Sequence, residues 1–501
     1  MPPPPARATD VVFVVSPANA ASMFMPFYFL YLAGYLEEHG FTVAIVDTHS
    51  KDPEENVRTI LQAIDALKPR FVGLASFVTD YDQVLSLAKD IRRRSDAKIL
   101  AGNAHPSIAP EDFLFEGSPF DVVVRGEGER TLRQLLAEYR EDSDLERIPG
   151  IAYRRDGRVR ITPNRELMDL SECALPAYHK LDLRWYQRPT KNILRRLTTV
   201  GAVIYLGRGC PFHCTFCASD SVWQANARPH GMSPVRKRPM SAVIRELRLL
   251  QDEHGFDFFY ILDDTFGIRE EDIVAFCEAY RASGLRMLWG AETRVNCIRT
   301  PEIMALLKDS GCIQLDFGVE TGSPELLKRI RKAATVEQTV AAFDLCRRHG
   351  IRTFANMLLN LPGETEEDLR LTHELLARIR PTFTSIGVTM PYPGTEIARG
   401  LSRPIGREDY GKFNRIFPPE EYRLSAHRRN LARLLFSWFL RYGVVAPVEW
   451  SLFCADARYW KKLVSSRHRW RYLLFFAKDI PLNFLRYLAF FRHYLPRPLK
   501  N

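Results

Sequence analysis

Hydrophobic and polar positions change their period several times along this chain. Up to about residue 150, short apolar runs rich in β-formers (11–15, 42–46, 71–75, 98–101 and 121–124) alternate with helix-length amphipathic stretches such as 29–39, 53–67 and 81–94. That alternation predicts an α/β domain over 1–150, a doubly wound parallel sheet of five strands. Residues 151–198, punctuated by Asp156-Gly157, Pro163, Pro176 and Pro189, read as a hairpin followed by a linker. Over 199–400, strand patterns return at 202–206, 258–262, 287–291, 313–319, 353–359 and 385–390 with helices between them. Six such units predict a partial (β/α)6 barrel with its chemistry at the strand carboxyl ends. Residues 401–501 carry helical patterns at 428–442, 456–464, 469–479 and 481–494.

Open parallel sheets bind ligands outside the carboxyl ends of their strands. In the first domain those ends read Ser16-Pro17, Asp47-Thr48, Ser76-Phe77-Val78-Thr79, Gly102-Asn103-Ala104-His105 and Arg125-Gly126-Glu127-Gly128-Glu129. Small and polar residues crowd the expected rim.

Composition changes the picture mainly by exclusion. The chain of 501 residues is 46% hydrophobic and 26% charged, as in ordinary globular proteins. No run of 18 apolar residues is free of charge, and Met1 to Asp10 lacks the apolar core of a signal peptide, so a cytoplasmic location is expected. Nine cysteines, an odd number, argue against a disulfide framework and for reading clustered cysteines as metal ligands. The net charge of +10 is localised: residues 421–501 hold 16 Lys/Arg against 4 Asp/Glu, leaving 54 against 56 elsewhere. The same tail holds 18 of the 57 aromatic residues.

The densest chemistry lies at Gly207-Arg208-Gly209-Cys210-Pro211-Phe212-His213-Cys214-Thr215-Phe216-Cys217, three cysteines on one loop just after a strand. Soft thiolates suit zinc or an iron–sulfur cluster. A closed zinc site wants a fourth ligand, and the chain has no second CxxC; His213 lies between two of the cysteines. A cluster held by three cysteines leaves one iron open to a small-molecule ligand.

With this triad the sequence resembles the radical S-adenosylmethionine superfamily. The resemblance continues through Asp263-Asp264-Thr265-Phe266, Glu292-Thr293-Arg294, Gly318-Val319-Glu320-Thr321-Gly322-Ser323, Asn360-Leu361-Pro362-Gly363-Glu364-Thr365 and Pro391-Tyr392-Pro393-Gly394-Thr395, in strand order. It implies that Cys210, Cys214 and Cys217 hold a 4Fe-4S cluster whose open iron is chelated by S-adenosylmethionine. It further implies that Glu292, Arg294 and Glu320 meet the polar groups of that molecule while Phe216 and Leu361 flank its adenine. An external electron donor such as flavodoxin or ferredoxin is implied as well.

Joined to the five-strand domain, the barrel resembles the cobalamin-binding branch of the superfamily. Cobalamin is then implied at Ser76, Phe77, Thr79, Gly102, His105, Gly126, Glu127 and Gly128. The loop after the first strand lacks the Asp-x-His-x-x-Gly motif of many cobalamin domains, so base-off cobalt without a histidine ligand is implied, with Phe77 beneath it. The branch implies methyl transfer to an unactivated carbon of an organic, partly apolar metabolite or lipid; the alternative is cyclisation, oxidation or rearrangement with the same cofactors. The basic, aromatic tail suggests peripheral contact with an anionic membrane surface, or a helical cap over the barrel mouth. Its last pattern sets Leu485, Leu488, Phe491 and Leu495 at helical spacing beside Arg486, Arg492 and His493. Nucleic acid is disfavoured because neither a second cysteine triad nor an RNA domain is visible.

Overall fold

A computed structural model describes residues 9–17, 24–140, 144–413, 419–427, 429–441, 456–479 and 481. The chain divides into two compact units: the first joins residues 1–182, 207–242 and 390–423, and the second joins 183–206, 243–389 and 424–501.

In the first unit, β1 (Val11–Val14), β2 (Val43–Val46), β3 (Phe71–Ala75), β4 (Lys98–Gly102) and β5 (Val122–Val124) form a parallel sheet in the order β2-β1-β3-β4-β5. Helices cover both faces, so the strands are apolar throughout rather than alternating. Val12 and Val14 enter one core with Ile60, Val84 and Ile91, while Val11 and Phe13 enter the other with Phe29, Leu36 and Leu132. The hairpin β6 (Ile151–Arg155) and β7 (Arg158–Ile161) adds antiparallel to β5, making seven strands where the apolar runs predicted five. Its placement has a reason: it covers β5, which would otherwise be an unpaired edge.

The second unit is a six-stranded parallel sheet of β8 (Gly201–Ile204), β11 (Phe258–Phe266), β12 (Leu288–Thr293), β13 (Cys312–Glu320), β14 (Arg352–Leu359) and β15 (Phe383–Val388), in the order β15-β14-β13-β12-β11-β8. Because β15 and β8 are not paired, the barrel is partial. The short strands β9 (Gly207–Arg208) and β10 (Arg236–Lys237) pair antiparallel within the first unit. β11 and β13 run further than their apolar patterns suggested, with register shifts after Ile261 and Gly318 that carry the chain on to Phe266 and Glu320. Such irregularities re-aim side chains at sheet ends.

Among the described residues the tail meets the barrel at both ends: residues 424–427 bond to Asn360 and Glu364 in the loop after β14, and the helical residues beyond them lie elsewhere. Helix Leu431–Arg441 lies beside helix Glu366–Ile379, with the Trp438 and His373 rings 4.4 Å apart. Helix Ala457–Ser465 and the helical residues 469–479 close the amino-terminal strand ends instead. There the Tyr459 hydroxyl donates to Thr198 O (3.0 Å), Val200 N donates to the Tyr472 hydroxyl (2.7 Å) and Arg458 donates to Cys312 O (2.8 Å). Polar groups leading into β8 and β13 need partners once buried, and the tail supplies them. The expected helix at 481–494, with Leu485 to Leu495, lies outside the described residues except for residue 481.

Candidate active site

The cysteine loop is built on a buried ion network. Arg208 donates from Nη1 to Glu127 Oε1 (2.7 Å) and from Nη2 to Glu129 Oε1 (2.6 Å). Arg236, across the β9–β10 pair, donates to Glu127 Oε2 (2.8 Å), which also accepts from Met168 N (2.8 Å). Burial alone would push the Glu127 carboxyl up, but Arg208 and Arg236 outweigh it and hold the group below its ordinary value. Glu127, expected at cobalamin, therefore also anchors the strand that leads into the cysteines. Next, Gly209 turns at φ +91°, where a Cβ would lie 1.9 Å from Pro234 O, so only glycine fits. Beyond it Cys214 is buried, Cys210 and Phe216 are half-buried and Cys217 is exposed.

The loop is tied by backbone bonds from Cys217 N to Cys214 O (3.1 Å) and from Ile397 N to Thr215 O (3.2 Å). His213 Nδ1 lies 2.6 Å from Asp220 Oδ1. Among the described residues no three His, Cys, Asp or Glu side chains converge as a single-ion site. A cubane places each thiolate on its own iron, so the glycine-turned, thiolate-rich loop fits a cluster better than one zinc ion.

At the rim of the first sheet, Ser76 is buried while Phe77 is 44% exposed and Thr79 is open to solvent. Asp80 shapes this turn by accepting from Phe77 N (2.7 Å) and from the Ser76 hydroxyl (3.2 Å). A Cβ on Gly102 would meet only Val124 O, at 3.9 Å, and Gly126 holds φ +71°. An open rim with an exposed aromatic ring suits a flat macrocycle. His105 is placed in the core: its Nε2 is 3.1 Å from Asp112 Oδ2, and its ring packs against Phe113 and Tyr410. Two rim groups escaped the sequence reading. His49 sits 3.2 Å from Asp47, and the Tyr28 phenol is raised by burial and by the charges of Asp80 and Asp47. Only their basic or aromatic character, three residues past a strand end for His49 and inside a helix for Tyr28, marked them.

Burial pushes the Asp80 carboxyl from 3.8 up to about 6. A folded-state value above the unfolded one means stability is greatest in acid, falls as pH rises through this window, and is flat above it. Asp80→Asn keeps an acceptor for Phe77 N and removes the buried charge. We expect the variant to be more stable than the parent at neutral pH by about 2 kcal/mol, with the gap closing toward pH 4, as read by thermal unfolding at each pH.

In the second unit, Glu320 ends β13 at φ +67° and accepts from Lys332 Nζ at 2.6 Å, with both groups buried. A non-glycine residue held in this conformation at a strand end is the kind of strain that accompanies function. Arg294 is buried just past β12, and the Glu292 side chain is 38% exposed, its carboxyl raised by burial against the opposing pull of Arg195. Leu361 is fully buried in the loop after β14. Before it, Asn360 adopts φ +62° and accepts from Leu424 N (2.9 Å) and Ser425 N (3.1 Å) while donating to Thr389 O (3.0 Å). Glu364 closes this network by accepting from Asn360 N (2.9 Å), with His427 Nε2 3.1 Å away.

Sequence reasoning missed the polar interior of the barrel. Asp316 is fully buried, accepts from the Tyr260 hydroxyl (3.0 Å) and Gln314 Nε2 (2.8 Å), and lies 3.5 Å from Arg195 Nε. Arg195 also donates to Asn356 Oδ1 at 2.7 Å. The signal was available: Gln314, Asp316, Gly318 and Glu320 alternate along β13, as do Gly290 and Glu292 along β12, which puts each set on one face of its strand.

Residues 204–376 match the Radical SAM superfamily, and residues 17–136 match the B12 binding domain. The chain is a cobalamin-binding radical SAM enzyme. Its cofactors are a 4Fe-4S cluster, S-adenosylmethionine and cobalamin. This radical SAM enzyme is 27% identical to an uncharacterized methyltransferase, PH0819, of Pyrococcus horikoshii, over 82% of this chain and 87% of that protein. It is 28% identical to an anaerobic magnesium-protoporphyrin IX monomethyl ester cyclase of Rubrivivax gelatinosus, over 80% of this chain and 70% of the cyclase. In fold it is similar to the radical S-adenosylmethionine methyltransferase TsrM of Kitasatospora setae, solved with cobalamin and a 4Fe-4S cluster bound. The TM-score is 0.63 at 21% identity, covering 79% of this chain and 76% of TsrM.

Proposed function

We propose that this enzyme transfers a methyl group to an unactivated carbon of an organic, partly apolar metabolite or lipid. The observation that carries the reading is the B12-binding and radical SAM regions in one chain, aligned over 82% of its length with a protein named as a methyltransferase. When bound, the cofactors supply reductive cleavage of S-adenosylmethionine and carriage of the methyl group. The protein's part is to hold and orient them. Cys210, Cys214 and Cys217 hold the cluster. Arg294, Glu292 and Glu320 take the polar groups of S-adenosylmethionine; Phe216 and Leu361 take its adenine; and Ser76, Phe77, Thr79, Gly102, Gly126, Glu127 and Gly128 serve cobalamin, while His105 packs beneath that rim. Asn360, pinned by residues 424–427, fixes the loop that carries Leu361. An external carrier such as flavodoxin or ferredoxin supplies electrons, and the tail makes peripheral contact with a membrane surface.

The test is product analysis with reconstituted enzyme and cell extract as substrate source. Methyl transfer yields S-adenosylhomocysteine together with 5′-deoxyadenosine and a product heavier by one methylene. The relative named as a cyclase supports a second reading, ring closure with the same cofactors. In that case 5′-deoxyadenosine forms without S-adenosylhomocysteine and no methylene is gained.

A further inference from the structure

We propose that residues 457–479 form a docking face for an anionic lipid bilayer and hold the barrel by the strand ends opposite its carboxyl rim. This sharpens the peripheral contact proposed for the tail and does not depend on which reaction the enzyme performs.

One side of this helical pair is fixed to the barrel. Tyr459, Leu463, His468 and Tyr472 are buried, and the His468 ring reaches Gly255 O at 3.0 Å. The Trp460 and Phe476 rings, 6.3 Å apart, join the two helical stretches to each other. The other side is open: Trp460, Val464, Trp470, Leu473 and Leu474 are 41 to 74% exposed, a concentration of apolar surface that monomeric proteins seldom show to water. Between them Lys461, Arg469, Arg471 and Lys478 are exposed, and among the described residues none of the four is paired with a carboxylate. From Ala457 to Lys478 the sequence has no Asp or Glu.

Charge and greasiness together select the partner. Phosphates of a nucleic acid would use the cations but leave two tryptophans and two leucines in water, whereas a bilayer interface takes aromatic and aliphatic side chains below the level of the anionic headgroups. Because the buried side closes the amino-terminal strand ends, the bilayer meets the end of the barrel away from Glu292 and Glu320. The face tethers the enzyme and is not a substrate entrance.

The test uses the full chain in co-sedimentation with phosphatidylcholine vesicles, with and without phosphatidylglycerol. Binding should require phosphatidylglycerol and fall as salt is raised. Lys461→Glu, Arg469→Glu and Lys478→Glu combined should weaken it about 100-fold. Trp470→Ser with Leu474→Ser should weaken vesicle binding and reduce the quenching of tryptophan fluorescence by brominated lipid, leaving only what Trp460 contributes. All these positions are exposed, and 5′-deoxyadenosine formation should be unchanged in every variant, which separates failure of this proposal from failure of the methyl-transfer reading. Full-length protein that stays in the supernatant at low salt overturns the proposal. So does vesicle binding that both sets of substitutions leave intact, or a face that self-associates or binds RNA without binding vesicles.

Discussion

Alanine at Cys210, Cys214 or Cys217 is expected to abolish 5′-deoxyadenosine formation and to leave fewer than four irons per chain. Each thiolate holds its own iron, so losing one exposes a second iron to solvent and the cluster degrades. Among the described residues, three other cysteines are poorly suited to substitute. Burial pushes the Cys277 thiol up to about 12 and raises those of Cys312 and Cys346 as well, so these sulfurs stay protonated and are poor ligands. Cys277→Ala is the matched control: it removes a buried thiol that accepts from the Ser310 hydroxyl, costs stability, and should keep the full complement of iron and sulfide. Iron and sulfide assay, with low-temperature electron paramagnetic resonance of the reduced protein, reads both outcomes. A complete four-iron cluster in any of the three alanine variants would remove the triad from the ligand set.

What could be read in the sequence divides along physical lines. Strands buried on both faces are continuous apolar runs, so β1 to β5 were visible as Val-rich segments. The barrel strands were visible by the same signal, up to the point where polar residues took over. The extension of β11 to Phe266 and of β13 to Glu320 was hidden because Asp263, Asp264 and Glu320 look like loop residues. They remain in strand because the register shifts beside them let the ladder continue. The hairpin was seen but not its attachment to β5, since pairing across the 26 residues between Val124 and Ile151 leaves no local trace. The cysteine loop was legible from spacing alone, whereas Arg195, which reaches Asp316 and Asn356 from a segment read as linker, was not. Long-range ion pairs of that kind belong to the fold, and a single sequence shows only their ends.

Arg208→Ala gives the other large expected effect, on stability and cluster retention together. The substitution leaves Glu127 with Arg236 and Met168 N and removes the bond that Arg208 makes to buried Glu129. Removing one member of a buried ion network typically costs about 3 to 5 kcal/mol, because the groups left behind stay desolvated. The pH dependence gives the mechanism away. In the parent, Glu127 is held below its ordinary carboxylate value, so its contribution is present above that value and is lost as acid protonates the folded protein. In the variant, desolvation is less opposed, the remaining carboxylates take up protons more readily on folding, and the deficit should shrink as pH falls from neutral toward 4. Thermal unfolding of the apoprotein across that range measures the gap. Iron content after reconstitution should fall too, since Arg208 stands two residues before Cys210 and the loop would lose the anchor that sets its approach. A variant that unfolds with the parent at neutral pH and retains its iron would show that Arg236 and the Gly209 turn position the loop without Arg208.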